Sequence, residues 1–274
     1  MTFATIMVFI DPGEKAGERI TTAVGLATRF NSLLIGLAGW PLRKDEMLEP
    51  AAAAFPLTDQ SREEKIREQH ARLGENFRRL AEANPHGLEW RSSVHFPREV
   101  ITREARAADL VVIGREALPG DVYHTYDPGT VILAAGRPVL VVPHGIREVQ
   151  ASRVVLAWKE TREARRAVRD ALPFLKKSQI VMIAVANPQS MQGVDEQIAD
   201  VARYLARHGV TVSQQIVTAA DEEEGHILLR LAKEHHADLI VAGAYGRTRL
   251  SEWIFGGVTR HLLMASTVPC LFSN

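Results

Sequence analysis

The sequence predicts an α/β protein made of two similar domains, each a five-stranded parallel sheet flanked by helices. Short apolar strands alternate with stretches of helical periodicity along the whole chain, the pattern of βα units whose sheet is buried on both faces. The pattern also occurs twice. Asp109-Leu-Val-Val-Ile-Gly114 is answered by Asp238-Leu-Ile-Val-Ala-Gly243, and Arg137-Pro-Val-Leu-Val-Val-Pro143 by Val268-Pro-Cys-Leu-Phe-Ser273, both at an offset of about 130 residues. With 274 residues, 46% of them hydrophobic, the chain can bury one large core or two of ordinary size.

Taken in order, the first half has strands at about 4–11, 32–39, 88–95, 109–114 and 138–142, with helices near 14–30, 60–83, 98–107 and 128–136. Asp127 is the predicted N-cap of the last of these helices, with Pro128 at its first position, where a missing N–H costs nothing. The second half has strands near 153–158, 179–186, 210–217, 238–243 and 268–273, and helices near 161–176, 191–208, 221–236 and 257–266. The expected domains are 1–145 and 151–274, joined around Gly145–Ser152. They differ mainly at segment 41–60, where Pro41, Pro50, Ala51 to Ala54 and Pro56 have no counterpart in the second half. A surface insertion or a lid fits that composition.

Composition restricts the function classes. Lys+Arg and Asp+Glu are both 33, so there is no overall basic excess pointing to nucleic acid and no acidic solvating tail. The single cysteine, Cys270, excludes an intrachain disulfide and a multi-cysteine metal centre, and in a strand it reads as a buried, inert thiol. The opening Met1-Thr-Phe-Ala-Thr-Ile-Met-Val-Phe-Ile has no positive region and its apolar run stops at Asp11, so it reads as a strand rather than a signal peptide. Nothing approaches the ~18 apolar residues that span a bilayer. The expectation is a soluble cytoplasmic protein with no membrane or nucleic-acid partner.

Near the C-terminus an apolar strand ends in Gly243-Ala-Tyr-Gly246, and nine residues later Gly256-Gly257-Val258-Thr259 opens a predicted helix. Glycines permit close approach and positive φ, and the unpaired amides of a first helical turn favour an anion, so this concavity suits a phosphate. The spacing Gly-x2-Gly-x9-Gly-Gly-Val-Thr resembles the nucleotide-binding signature of the universal stress protein family, with Gly243, Gly246 and Gly256 as its glycines. The family usually has Ser or Thr at the position of Gly257. The resemblance covers both halves and implies two flavodoxin-like (adenine nucleotide alpha hydrolase-like) domains. It also implies pairing through the final strands, 138–142 and 268–273, as a pseudo-dimer, and further self-association of chains. The implied ligand is ATP or another adenine nucleotide, alone or with Mg²⁺, in a stress-response or regulatory role with a regulatory protein partner.

Read against the family, the second half places the triphosphate over Gly243, Gly246 and Gly256 to Thr259. The base then lies against Ala157 and Trp158 at the end of the first strand of that half and Ala184 and Val185 in the second. Trp158 stacks on a base or packs in the core. Trp158 or Lys159 stands where the family has an acidic residue, and Lys159 could reach a phosphate. Arg247 and Arg249, between the glycines, either donate paired hydrogen bonds to phosphate oxygens or are solvated. Thr259 is a phosphate contact or a helix-start residue, and Trp253-Ile-Phe255 pins the loop. In the first half Asp11 matches the family's acidic residue, but Arg115-Glu-Ala-Leu-Pro-Gly120 follows Gly114 and the second glycine is absent; only a helix start at Asp127 to Thr130 is left there for an anion.

The NTPase P-loop, the dinucleotide fingerprint, the Gly-x-Ser-x-Gly elbow and His/Glu pairs at zinc spacing are missing from the sequence. Adjacent His235 and His236 face different directions on a helix and read as a surface pair. No catalytic residue and no metal ligand is assigned. Two alternatives stand beside a nucleotide-binding regulator. One is a stress protein that binds no nucleotide and acts through protein contacts. The other is an enzyme hydrolysing ATP or transferring an adenylyl group, for which Glu160 and Glu252 are the carboxylates nearest the glycine loop.

Overall fold

The computed structural model describes residues 2–13, 15–41, 59–115, 124–188, 191–219, 222–245 and 257–274, with the backbone alone for 59–62. The first half runs β1 (Thr5–Phe9), α1 (Ala16–Phe30), β2 (Leu33–Gly39), α2 (Asp59–Ala81), β3 (Leu88–Ser93), α3 (Pro97–Glu104), β4 (Leu110–Gly114), α4 (Pro128–Ala134) and β5 (Val139–Val142). The second repeats it as β6 (Arg153–Ala157), α5 (Arg162–Leu175), β7 (Ile180–Ala186), α6 (Val194–Arg207), β8 (Val212–Val217), α7 (Glu224–Glu234), β9 (Leu239–Gly243), α8 (Gly257–Ala265) and β10 (Cys270–Ser273).

The strands form one ten-stranded sheet, in the order β3-β2-β1-β4-β5-β10-β9-β6-β7-β8. Within each half every pair is parallel; the halves meet at an antiparallel pair in which Leu271 lies opposite Leu140. Two five-stranded sheets thus become one, and each half's fifth strand gains a neighbour in place of an open edge.

The apolar runs follow from this placement. Successive side chains point to opposite faces, so a strand covered on both sides must be apolar at every position. In and after β1, Ile6, Val8 and Ile10 join one core layer while Met7 and Phe9 join the other. The first layer is covered by α1, α2, α5 and α6, the second by α3, α4, α7 and α8. Both layers run across the junction. Phe3 and Phe30 of the first half pack on Phe174 of α5, with ring centroids 5.4 and 5.1 Å away.

The joint at Gly145–Ser152 is fastened rather than loose. Thr22 Oγ1 donates to the Ile146 carbonyl (2.9 Å), Glu18 accepts from the Gly145 amide (3.0 Å), and Val149 and Ala151 are buried. At the amino edge of the sheet the repeat extends to individual hydrogen bonds. Asp109 accepts from the amides of Ala4 and Thr5 at the start of β1, and Asp238 accepts from those of Ser152 and Arg153 at the start of β6, all at 2.8 to 3.0 Å. No helix among the described residues is long and apolar enough to cross a membrane.

Candidate functional site

The candidate site lies at the carboxyl ends of the strands, where an open parallel sheet leaves a crevice. In the second half β9 ends at Gly243. A Cβ there would come within 2.4 Å of the Ala164 amide nitrogen and 2.6 Å of the Glu163 carbonyl carbon, so the first turn of α5 rests directly on the strand. Gly243 is required for this approach of two backbones. Positive φ falls instead on Tyr245, at 57°. Burial, and after it the charge of Asp127 in the first half, hold the Tyr245 phenol above its usual range.

Thr161 caps α5 by accepting from the Ala164 amide at 3.2 Å. Next to it Glu163 is 1% exposed. Arg162 donates to its Oε1, while Oε2 has no hydrogen-bond partner. Burial works against its charge, but Arg162, the helix-start amide and Thr161 outweigh burial and hold the carboxyl below the usual range. Sequence reasoning missed this residue. Glu160, one of the two carboxylates it named, is instead a surface partner of Arg165; Glu252 lies outside the described residues.

The remaining predicted residues divide clearly. Trp158 is 7% exposed and packs in the first core layer, its indole N–H without a partner and its amide donating to the Ala184 carbonyl at 2.8 Å. Packing is therefore what Trp158 does in this structure. Val185 points into that same layer, whereas Ala157 and Ala184 face the other, beside α7. Lys159, expected to reach toward a phosphate, lies 3.5 Å from Glu224 at the start of α7. Gly257 is the exposed first residue of α8, and a Cβ built on it would meet nothing within 4 Å. Val258 is half-buried and Thr259 buried. Gly246, Arg247, Arg249 and Gly256 lie outside the described residues, as do Ser251, Trp253 and Phe255.

In the first half the equivalent edge is filled by the protein's own side chains. Arg19 of α1 donates to the Phe9 carbonyl at 2.9 Å and to Asp11 at 2.7 Å, and is buried with it. Asp11, which matches the family's acidic residue, is thus paired internally. A Cβ on Gly114 would lie 2.5 Å from the Arg19 guanidinium. Tyr126 closes the gap from the other side: its hydroxyl accepts from the Gly114 amide at 3.0 Å and donates to the Gly114 carbonyl at 3.2 Å. Burial pushes that phenol up to about 12, so it stays protonated at neutral pH. Asp127 is the N-cap of α4 as expected, and its carboxylate accepts from the amides of Gly129 and Thr130. The helix start proposed for an anion is therefore satisfied from within.

A cleft of about 350 Å³ lies elsewhere in the first half, lined by Leu37, Trp90, Ser92, Arg91, Arg103 and Glu104 among others. Both arginines there are engaged by Glu104, at 2.9 and 3.0 Å. Cys270 is buried in β10, which pushes its thiol up to about 12 and makes it inert.

The second-half geometry has a counterpart among known families. Residues 150–273 match the universal stress protein family. The glycine signature and the α5–β9 contact both fall inside that match. Across the whole chain the structure is similar to a universal stress protein from Archaeoglobus fulgidus, at 15% identity and a TM-score of 0.76, covering 98% of this chain and 96% of that one. It is also similar to a functionally unknown protein from Pseudomonas aeruginosa, at 16% identity and a TM-score of 0.63, covering 99% and 92%. At such identities the likeness is one of fold, and it extends the universal stress protein fold to the first half. No curated protein matches the chain in sequence.

Proposed function

We propose that the second half, residues 151–274, binds ATP or a related adenine nucleotide, alone or with Mg²⁺, as a sensed ligand in a cytoplasmic stress-response role. The triphosphate would lie over Gly243, Gly246 and Gly256 to Thr259, with Arg247 and Arg249 on its oxygens and the base near Ala157 and Ala184. The observation that carries this reading is at the first residue of α8: Gly257 is exposed, and a Cβ built on it would meet nothing within 4 Å. The first turn of a helix is where an anion is favoured. The first half, residues 1–145, would be a support with no ligand of its own. The missing hydroxyl at Gly257 and the engagement of Lys159 by Glu224 favour a second reading, in which the protein acts through protein contacts alone.

Calorimetric titration of ATP, with and without Mg²⁺, into ligand-stripped protein separates the two. The nucleotide reading expects about one equivalent per chain, lost in a folded Gly246→Val variant. Absence of heat and of any thermal shift would favour the protein-contact reading, and retained affinity in the variant would remove the glycine loop from the site.

A further inference from the structure

Beside this edge, the start of α7 and the middle of α8 bring together Glu223, His226 and His261. One ligand atom from each lies within 4.8 Å of the others. Glu223 and His226, a pair that sequence reading did not count as a zinc spacing, are three apart at the start of α7 and share one face. His261 comes from α8, and its proximity depends on Gly225, where a Cβ would lie 2.6 Å from the His261 Cβ. The glycine lets the two helices touch at this level and places the imidazole against the first turn of α7.

The local geometry leaves the three groups with little else to do. His261 Nδ1 is 3.9 Å from Glu223 Oε2, too far for a hydrogen bond, and its Nε2 is buried without a partner. The rings of His226 and His261 meet edge to face with centroids 4.0 Å apart. Glu223 is the N-cap residue of α7 yet makes no side-chain cap hydrogen bond. Its neighbour Glu222 is held by Arg230 at 3.0 Å and is not part of the group.

We propose that Glu223, His226 and His261 form a binding site for a divalent transition-metal ion of the zinc or cobalt class. Two imidazoles and one carboxylate suit such an ion, whereas Mg²⁺ prefers oxygen ligands throughout. Tetrahedral coordination would bring the ligand atoms closer than they now stand, and Glu223 and His226, both exposed, have room to close on His261. Three protein ligands on an open face leave the fourth position to water or an exogenous ligand. The site requires no bound nucleotide.

The test is Co²⁺ titration of the full, untagged chain without nucleotide, followed by visible absorption and equilibrium dialysis. The expected result is one equivalent with tetrahedral-type absorption, competed away by Zn²⁺ and weakened more than ~10-fold in Glu223→Gln and His226→Ala, since even outer-shell changes cost about that much. These two residues are exposed, so their variants keep the fold if His261→Ala does not; replacing His235 and His236 by Asn should change nothing. Absence of Co²⁺ binding, or binding unchanged in His226→Ala, would overturn the proposal.

Discussion

The two halves of this chain agree at one edge of the sheet and part at the other. At the amino edge, Asp109 and Asp238 make the same pair of hydrogen bonds to the start of β1 and β6. At the carboxyl edge the first half is closed by Arg19, Asp11 and Tyr126, while the second presents Gly243 against α5 and an exposed start to α8. The difference teaches that a repeated fold keeps its bracing and varies its site. The bracing pairs backbone donors at the strand start that each copy presents, and the crevice has no such requirement.

The sharpest way to break the comparison is to add a side chain to each strand-end glycine. Gly243→Val meets the backbone of α5, which cannot swing aside, and is expected to cost ~3 kcal/mol or more in urea unfolding. Gly114→Val meets the end of the Arg19 side chain, which can move at the expense of its pairing with Asp11, and should cost less. Equal costs would mean the two edges are not built differently.

The aspartates test the shared edge. Asp109→Ala and Asp238→Ala each orphan two backbone amides, and each is expected to lose about 1–3 kcal/mol, with closely matching values. A large inequality in chemical denaturation would show that the bracing is not equivalent.

One pH effect lies in the first half. His70, 2% exposed against the Trp40 ring, is brought down to about 4 by burial, with His124 and Arg67 adding to the shift. Its folded pKa is below the unfolded value of about 6.5, so below that pH the unfolded chain takes up a proton that the folded one refuses. Stability is complete above ~6.5 and falls toward pH 4, by at most ~3 kcal/mol from this residue. His70→Phe should flatten that part of the profile measured by thermal melts; an unchanged slope would mean the imidazole is not held neutral.

The smallest expected effect is a gain. Gly257→Ser restores the hydroxyl that the family usually carries, into space where a Cβ meets nothing within 4 Å. One added hydrogen bond of ~1 kcal/mol is roughly fivefold in ATP affinity by calorimetry. Weaker binding would argue against phosphate at the α8 start.

Much of the fold was legible because it rests on period and repetition. Apolar central strands, helices with one apolar face and two landmarks at a constant offset led to the ten strands and eight helices of the described residues, with ends displaced by a few residues. Asp127 and Pro128 were readable as a helix start since capping is local. The single sheet was less so: the family resemblance implied that the final strands meet, but nothing gave the register of Leu140 opposite Leu271. The carboxyl edge was legible only in its glycines. Arg19 packed against Gly114, the Glu163–Ala164 backbone resting on Gly243, and Lys159 turned to Glu224 are contacts between elements distant in the chain. The same holds for His261 beside His226, which no spacing rule would have joined. Arg19 did leave one trace, a cation within an otherwise apolar helix face, eight residues after Asp11.

The claim that nucleotide belongs to the second half alone is tested most directly by photolabelling with 8-azido-ATP, followed by peptide mapping. The account predicts label confined to peptides from 151–274, near Ala157 or Ala184, and removed by excess unlabelled ATP. Label in peptides before residue 145, or label that ATP does not compete away, would contradict it.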